Sequence, residues 1–112
     1  MSEHDEQVAL ITWFRYQHPK LVIFAIPNGG LRNKAVAVKL RKEGVLRGVP
    51  DLFLMLPKNG RQGLFIEMKS KDGVLTDAQA DFIEVARETG YQAEVCYGFD
   101  QAKHVIEEYL NE

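Results

Sequence analysis

The chain has little of several features that define whole classes of protein. It contains a single cysteine, Cys96, which excludes an internal disulfide and a zinc–thiolate cluster. Its three histidines (His4, His18 and His104) form no i, i+3 or i, i+4 pair of the kind that binds zinc. No apolar run approaches the about 20 residues of a membrane-spanning helix, and the N-terminus lacks a basic-then-apolar secretory signal. These absences predict an intracellular, cytoplasmic protein with no membrane span.

A missing motif and the net charge exclude further classes of function. No Gly-x-x-x-x-Gly-Lys-Ser/Thr sequence is present, so a nucleotide cofactor is not indicated. The formal net charge of −2 argues against a general nucleic-acid coat protein, which is normally basic. The charge is nevertheless segregated: residues 31–48 contain six basic residues and one acid, whereas residues 72–94 contain six acids and one basic residue. The basic region could contact nucleic-acid phosphates, although both regions are also compatible with ordinary solvated helix faces.

The hydrophobic pattern predicts one domain, residues 1–112, of alternating helices and strands. The 112 residues are 46% hydrophobic, which is enough for one core. Helices are predicted over about 3–17, 33–43, 76–88 and 100–109, and strands over 21–26, 51–56, 64–69 and 91–97. In the third helix, Ala78, Phe82, Val85 and Ala86 are predicted to share the apolar side. This order predicts an α/β sandwich with a central mixed sheet flanked by helices.

Three charged residues stand in unusual surroundings. Asp51 opens the apolar run 51–56, and Glu67 and Lys69 end the run 63–69. The segment 57–62 between the two runs is typical of a hairpin loop. Because strand side chains alternate, Glu67 and Lys69 share one face, and a hairpin brings Asp51 alongside them. Two carboxylates and an ammonium group at one end of a sheet are the minimal set for a metal-dependent phosphodiesterase.

A simpler interpretation of these residues also exists. An Asp after Pro is often a turn former, and a Glu-x-Lys pair on a strand is most often a solvated, charge-balanced face. The second run, however, carries apolar residues on both faces, which is typical of a strand covered on both sides. A carboxylate in such a strand is costly unless it is paired or bound to a metal ion.

The predicted first helix also carries acids near its apolar side. Ser2 is its predicted N-cap, and the helix places Glu3 and Gln7 near the centre of the apolar face, with Glu6 towards its edge. A glutamate directed towards the core at a helix start either caps the helix or reaches a site.

With these segments in order, the chain resembles the PD-(D/E)xK nuclease superfamily, and within it the VRR-NUC (virus-type replication-repair nuclease) family. The resemblance is carried by segments 48–51 (Gly-Val-Pro-Asp), 67–69 (Glu-Met-Lys) and 75–79 (Leu-Thr-Asp-Ala-Gln), with Glu3, Gln7 and the Pro-Asn-Gly-Gly turn 27–30. It extends from Glu3 to about Tyr97. The resemblance implies a restriction-endonuclease-like fold. The chain is similar to small stand-alone phage and bacterial members of the family, so a phage or prophage origin would not be surprising.

The resemblance implies roles for individual residues. Asp51 and Glu67 would hold Mg²⁺ or Mn²⁺ together with the backbone carbonyl of Met68, and Lys69 would orient or activate the attacking water. A glutamate of the first helix would complete the site, with Glu3 matching the family spacing and Glu6 as the alternative. Gln79 matches a polar residue near the site. The candidate contacts to DNA, taken from the turn and the basic region, are Asn28, Arg32, Lys34 and Arg47.

The resulting hypothesis is a metal-dependent DNA endonuclease. The chain has no separate DNA-binding domain, so specificity would come from its own surface or from pairing two copies. Small family members act as homodimers on branched DNA, which favours a Holliday-junction resolvase. Two alternatives stay open: a sequence-reading or nicking nuclease that uses the same residues, and a non-cleaving module that binds DNA structures.

Overall fold

The computed structural model describes residues 1–27 and 33–111, which form a four-stranded sheet and four helices. In chain order the elements are α1 (Glu3–Gln17), β1 (Ile23–Ala25), α2 (Lys34–Lys42), β2 (Leu52–Leu54), β3 (Leu64–Lys69), α3 (Asp77–Glu88), β4 (Gln92–Tyr97) and α4 (Phe99–Asn111). The strands lie in the order β1-β2-β3-β4, with antiparallel pairing up to β3 and a parallel β3–β4 pair. The predicted α/β sandwich with a mixed sheet is confirmed.

The sheet separates two apolar layers. On one face α1 and α4 cover the larger cluster, in which Phe14 of α1 and Ile106 of α4 are fully buried. On the other face α3 packs over β3 and β4 through Ile83 and Ala86. Cys96 points into the larger cluster, where burial raises the pKa of its thiol to about 12, so it is a packing residue.

Local sequence sets where the helices begin. Ser2 caps α1 by accepting from the Asp5 N–H at 3.1 Å, and the Asp5 side chain accepts from the Ser2 N–H. Thr76 caps α3 in the same reciprocal way with Gln79. Both arrangements are capping boxes, which satisfy N–H groups that a helix start leaves free. No helix in the described ranges is long and apolar enough to cross a membrane.

Two details differ from the sequence-based expectations. The strands β1 and β2 span only three residues each, so Asp51 lies just before β2 rather than inside it. The predicted apolar side of α3 was wrong for Val85, which is 56% exposed, whereas Ile83 is buried. The helix is rotated so that Gln79, Ile83 and Ala86, at i, i+4 and i+7, face the sheet.

Candidate active site

Strand register brings Asp51 and Glu67 together. Leu52 of β2 pairs with Ile66 of β3, and continuing that antiparallel register by one position sets Asp51 opposite Glu67. Directly opposed residues of antiparallel strands have Cβ atoms about 4.5–5.5 Å apart. The Asp51 Oδ2 atom also accepts a hydrogen bond from the Met68 N–H at 2.8 Å. The backbone of β3 therefore holds the Asp51 carboxylate beside Glu67.

The loop before Asp51 is fitted closely to α3. Gly48 has a φ of +89°, and a Cβ at this position would lie 2.4 Å from the carbonyl oxygen of Ala78. Only glycine tolerates both this conformation and this contact. The following Pro50 is fully buried. The segment from Gly48 to Asp51 is thus seated against the first turn of α3, which carries Gln79.

Glu67 is the one buried charged side chain among the described residues, at 3% exposure. Burial, the charge of Asp51 and a hydrogen bond with Asp51 together raise the pKa of Glu67 to about 8. The Lys69 ammonium opposes this increase in the pKa, with its Nζ atom 3.8 Å from Glu67 Oε2. With both carboxylates ionised, the pair would carry more negative charge than one lysine offsets, so Glu67 retains its proton at neutral pH and a cation would favour its ionised form.

Gln79 has two functions at the start of α3. Its Oε1 atom accepts from the Thr76 N–H at 2.9 Å, which completes the capping box. Its Nε2 group donates to Glu67 Oε2 at 3.3 Å. The helix cap consequently orients the amide that contacts the buried carboxylate, and Gln79 joins Asp51, Glu67 and Lys69 in one group.

The two candidate glutamates of α1 differ in their surroundings. The Glu6 carboxylate accepts a hydrogen bond from the Phe99 N–H and so caps the start of α4. Glu3 is exposed, and its charge is close enough to contribute to the raised pKa of Glu67. Glu6 is therefore engaged in joining α1 to α4, whereas the charge of Glu3 makes the smallest contribution to the raised pKa of Glu67.

The oxygen donors of the site meet part of the needs of a divalent cation. Within residues 1–27 and 33–111 no three Asp, Glu, His or Cys side chains converge into a ready-made metal-binding group. Asp51 and Glu67 provide two carboxylates side by side, and Mg²⁺ is commonly held by one or two carboxylates while it keeps several waters. A pair of hard oxygen donors without Cys or His fits Mg²⁺ or Mn²⁺ rather than zinc.

Two of the candidate DNA contacts, Lys34 and Arg47, lie outside this group. Lys34 opens α2 and is exposed, and Arg47 is exposed beside Ala78 and Phe82 of α3. Asn28 and Arg32 lie outside the described residues.

Sequence reasoning did not predict three features of the site region. They are the Glu6–Phe99 contact, the approach of Gly48 to Ala78, and the position of Tyr97, which pairs with Lys69 across β3–β4 and is 41% exposed.

Comparisons with known proteins identify the family of the chain. The model of the VRR-NUC domain matches residues 1–100 of the chain. No curated protein matches it. A solved structure described as a VRR_NUC domain protein is similar over 99% of this chain and 89% of that chain, with 29% sequence identity and a TM-score of 0.86. The chain therefore belongs to the VRR-NUC family and carries a nuclease-type domain.

Proposed function

We propose that this protein is a divalent-metal-dependent endonuclease that hydrolyses phosphodiester bonds in DNA. The observation that carries the proposal is the buried Glu67 beside Asp51, with Lys69 and Gln79 in contact with the same carboxylate. A fold gains no stability from burying a carboxylate next to another one. Such an arrangement is typical of a site in which a cation supplies the missing positive charge.

Asp51, Glu67 and the backbone carbonyl of Met68 would hold the cation, and Glu3 would complete the site from α1. Bound Mg²⁺ or Mn²⁺ would offset the charge of the phosphate and increase the acidity of the attacking water. Gln79 would keep the Glu67 carboxylate in one orientation through its 3.3 Å hydrogen bond. The hydrogen bond from Met68 would do the same for Asp51. Carboxylates that are already held in one orientation need not reorganise during the reaction.

Lys69 would act on the water and the phosphoryl group. Its side chain is only 12% exposed, so its ammonium lies in a partly desolvated position next to Glu67. A compact positive charge there orients the attacking water and stabilises the negative charge that develops on the phosphoryl oxygens. The carboxylates alone would repel the incoming phosphate, and Lys69 reduces that repulsion.

The preferred substrate in this proposal is branched DNA, and the active form is a homodimer. The described residues hold one candidate catalytic centre, formed by Asp51, Glu67 and Lys69. Symmetric cutting of two strands at a four-way junction would be served by two copies related by a twofold axis. Lys34 and Arg47 would contribute exposed positive charge towards DNA phosphates.

The test is cleavage of a labelled four-way junction and of a linear duplex with the same arm sequence. Wild type and Asp51→Asn are compared with Mg²⁺, Mn²⁺ or EDTA. We expect paired, metal-dependent nicks in the junction with the wild type and none with the variant. Light scattering on the wild-type protein with and without junction measures whether the active form contains two copies.

Other outcomes would change the proposal in defined ways. Cleavage of the linear duplex at discrete positions, with the junction spared, would retain the nuclease and favour a sequence-reading or nicking enzyme. Tight binding of the junction without cleavage in any cation would favour a non-cleaving binding module. Cleavage that persists in EDTA or in Asp51→Asn would contradict the proposed site.

A further inference from the structure

Helix α2 is built differently from the other helices of the described chain. None of its nine residues is buried. It contains four basic residues and no acid, and all four are exposed: Lys34, Lys39, Arg41 and Lys42. A helix normally stabilises itself in a protein by burying an apolar face. Because α2 buries no residue, its sequence is explained by the side chains that it exposes to solvent.

The ends of α2 are stabilised locally instead. At the start, the Asn33 side chain accepts from the Val36 N–H at 2.8 Å. At the end, Gly44 has a φ of +103°, and the Val45 N–H donates to the Leu40 carbonyl at 3.0 Å. This is a Schellman motif, which satisfies carbonyls that a helix end leaves free. With both ends capped, the helix depends less on packing against the rest of the fold.

The basic residues of α2 share one side. At about 100° per residue, Arg41, Lys34, Lys42 and Lys39 occupy an arc of about 160°. Leu40, which is half-buried, lies opposite the centre of that arc. The half-buried Leu40 marks the side of the helix turned towards the protein, and the basic arc, which also contains the exposed Val38, is directed away from it.

Helix stability favours only some of these positions, since Lys39, Arg41 and Lys42 lie in the last turn, where the helix dipole attracts positive charge. Lys34 is the first residue of the helix, where a positive charge opposes the helix dipole. Lys39 and Lys42 are like charges at i and i+3, which also destabilise a helix. Exposed acids occur on the other helices, for example at Asp77, Asp81, Glu84 and Glu88 of α3, and Glu43 directly follows α2. The nine residues of α2 itself present only positive charge, as expected of a surface that meets an anion.

We propose that α2 is a phosphate-contacting helix. Lys34, Lys39 and Lys42 bind the sugar–phosphate backbone of the nucleic acid substrate without reading its bases, and Arg41 extends this surface. The inference rests on the proposed function, because it takes DNA as the partner. It adds that one small, self-capped helix provides much of the salt-dependent affinity, in a protein whose net charge is negative.

The test uses the Asp51→Asn protein, so that binding is measured without cleavage. Lys34, Lys39 and Lys42 are replaced by Gln, and the affinity for a labelled duplex is measured by fluorescence anisotropy over a series of NaCl concentrations. Each lost phosphate contact reduces the slope of log K against log [salt] by about 0.9. We expect the slope to fall by about 2.7 and the affinity at low salt to drop roughly tenfold or more.

A matched variant controls for the change in net charge. Arg15, Lys20 and Lys103, which lie in or next to α1 and α4, are replaced by Gln in the same background. This triple variant should keep nearly the parent slope. Lys42→Gln alone should lower the slope by about 0.9, and circular dichroism should show that helix content is retained.

Several results would overturn the inference. An unchanged slope in the α2 variant, or an equal change in both triple variants, would mean that α2 does not contact phosphates specifically. Unchanged DNA binding with an altered mass by light scattering would assign α2 to a protein–protein interface. These results are separable from a failure of the proposed function, in which wild type with Mg²⁺ or Mn²⁺ would cleave no DNA whatever the α2 variants bind.

Discussion

The two faces of β3 differ in what they contribute to the protein. Leu64, Ile66 and Met68 are each 0% exposed and pack against α1 and α4. On the opposite face, Phe65 packs beneath α3, but the next position along that face is Glu67. One strand thus supplies an aliphatic core on one side and a buried carboxylate on the other. The comparison shows that one face of β3 contributes to the stability of the fold and the other contributes to the candidate active site, although the two faces alternate residue by residue along the strand.

The largest expected effect comes from the polar face. Lys69→Met removes the ammonium and keeps an unbranched side chain, so metal binding should change little. We expect the single-turnover rate of DNA cleavage to fall by about 100-fold to 1,000-fold, the usual effect of losing one charge-stabilising group. The rate is measured with saturating Mn²⁺, and Mn²⁺ affinity is measured separately by calorimetry. Near-normal cleavage by this variant would remove Lys69 from the mechanism.

A substitution on the aliphatic face should have the opposite consequences. Ile66→Ala creates a cavity in the larger apolar cluster and should lower the free energy of unfolding by about 2–5 kcal/mol. Where the variant remains folded, its cleavage rate should stay close to that of the wild type. Urea denaturation measures the first effect, and Val74→Ala, at a position 79% exposed, is the control. A loss of activity without a loss of stability would show that the two faces are not separable.

The third prediction concerns pH. The pKa of Glu67 is raised from 4.5 to about 8 in the folded protein, so the unfolded chain loses this proton first as pH rises. Without metal, the protein should therefore lose stability between about pH 4.5 and pH 8, by a few kcal/mol in total, because each pKa unit corresponds to about 1.4 kcal/mol. Glu67→Gln should abolish this dependence and be more stable than wild type at pH 8 in EDTA.

Thermal unfolding at pH 5, 6.5 and 8 in EDTA tests this prediction. Glu84→Gln, at an exposed position of α3, serves as the control and should keep the wild-type dependence. Adding Mn²⁺ at pH 8 should stabilise the wild type and leave Glu67→Gln nearly unchanged. If wild type and Glu67→Gln show the same pH profile, the proton on Glu67 is not linked to folding.

Much of this arrangement follows from local sequence rules, and the remainder does not. Alternation along 64–69 correctly separates Glu67 and Lys69 from Met68, and hairpin pairing correctly brings Asp51 beside them. The contact between Glu6 and the Phe99 N–H joins residues 93 positions apart, and no local pattern encodes it. A choice between Glu3 and Glu6 therefore could not be made from helix periodicity alone.

The rotation of α3 illustrates a second limit. The predicted apolar side contained Val85 and omitted Ile83, which the structure buries. The structure turns Gln79 inward, since its amide contacts Glu67 and its carbonyl caps the helix. The inward face of α3 thus combines the polar Gln79 with the apolar Ile83 and Ala86, and a hydrophobicity pattern alone does not identify its polar member.

The central claim is that Asp51 and Glu67 form a divalent-metal site, and Mn²⁺ binding tests it most directly. Calorimetric titration at pH 7.5 in two buffers with different ionisation enthalpies measures both affinity and proton release. For the wild type we predict one site with net proton release, because Glu67, with a pKa of about 8, must lose its proton to bind the cation. For Asp51→Asn we predict binding at least about tenfold weaker, since it loses one of the two carboxylates. Equal Mn²⁺ binding by the two proteins, or binding by the wild type without proton release, would contradict the account.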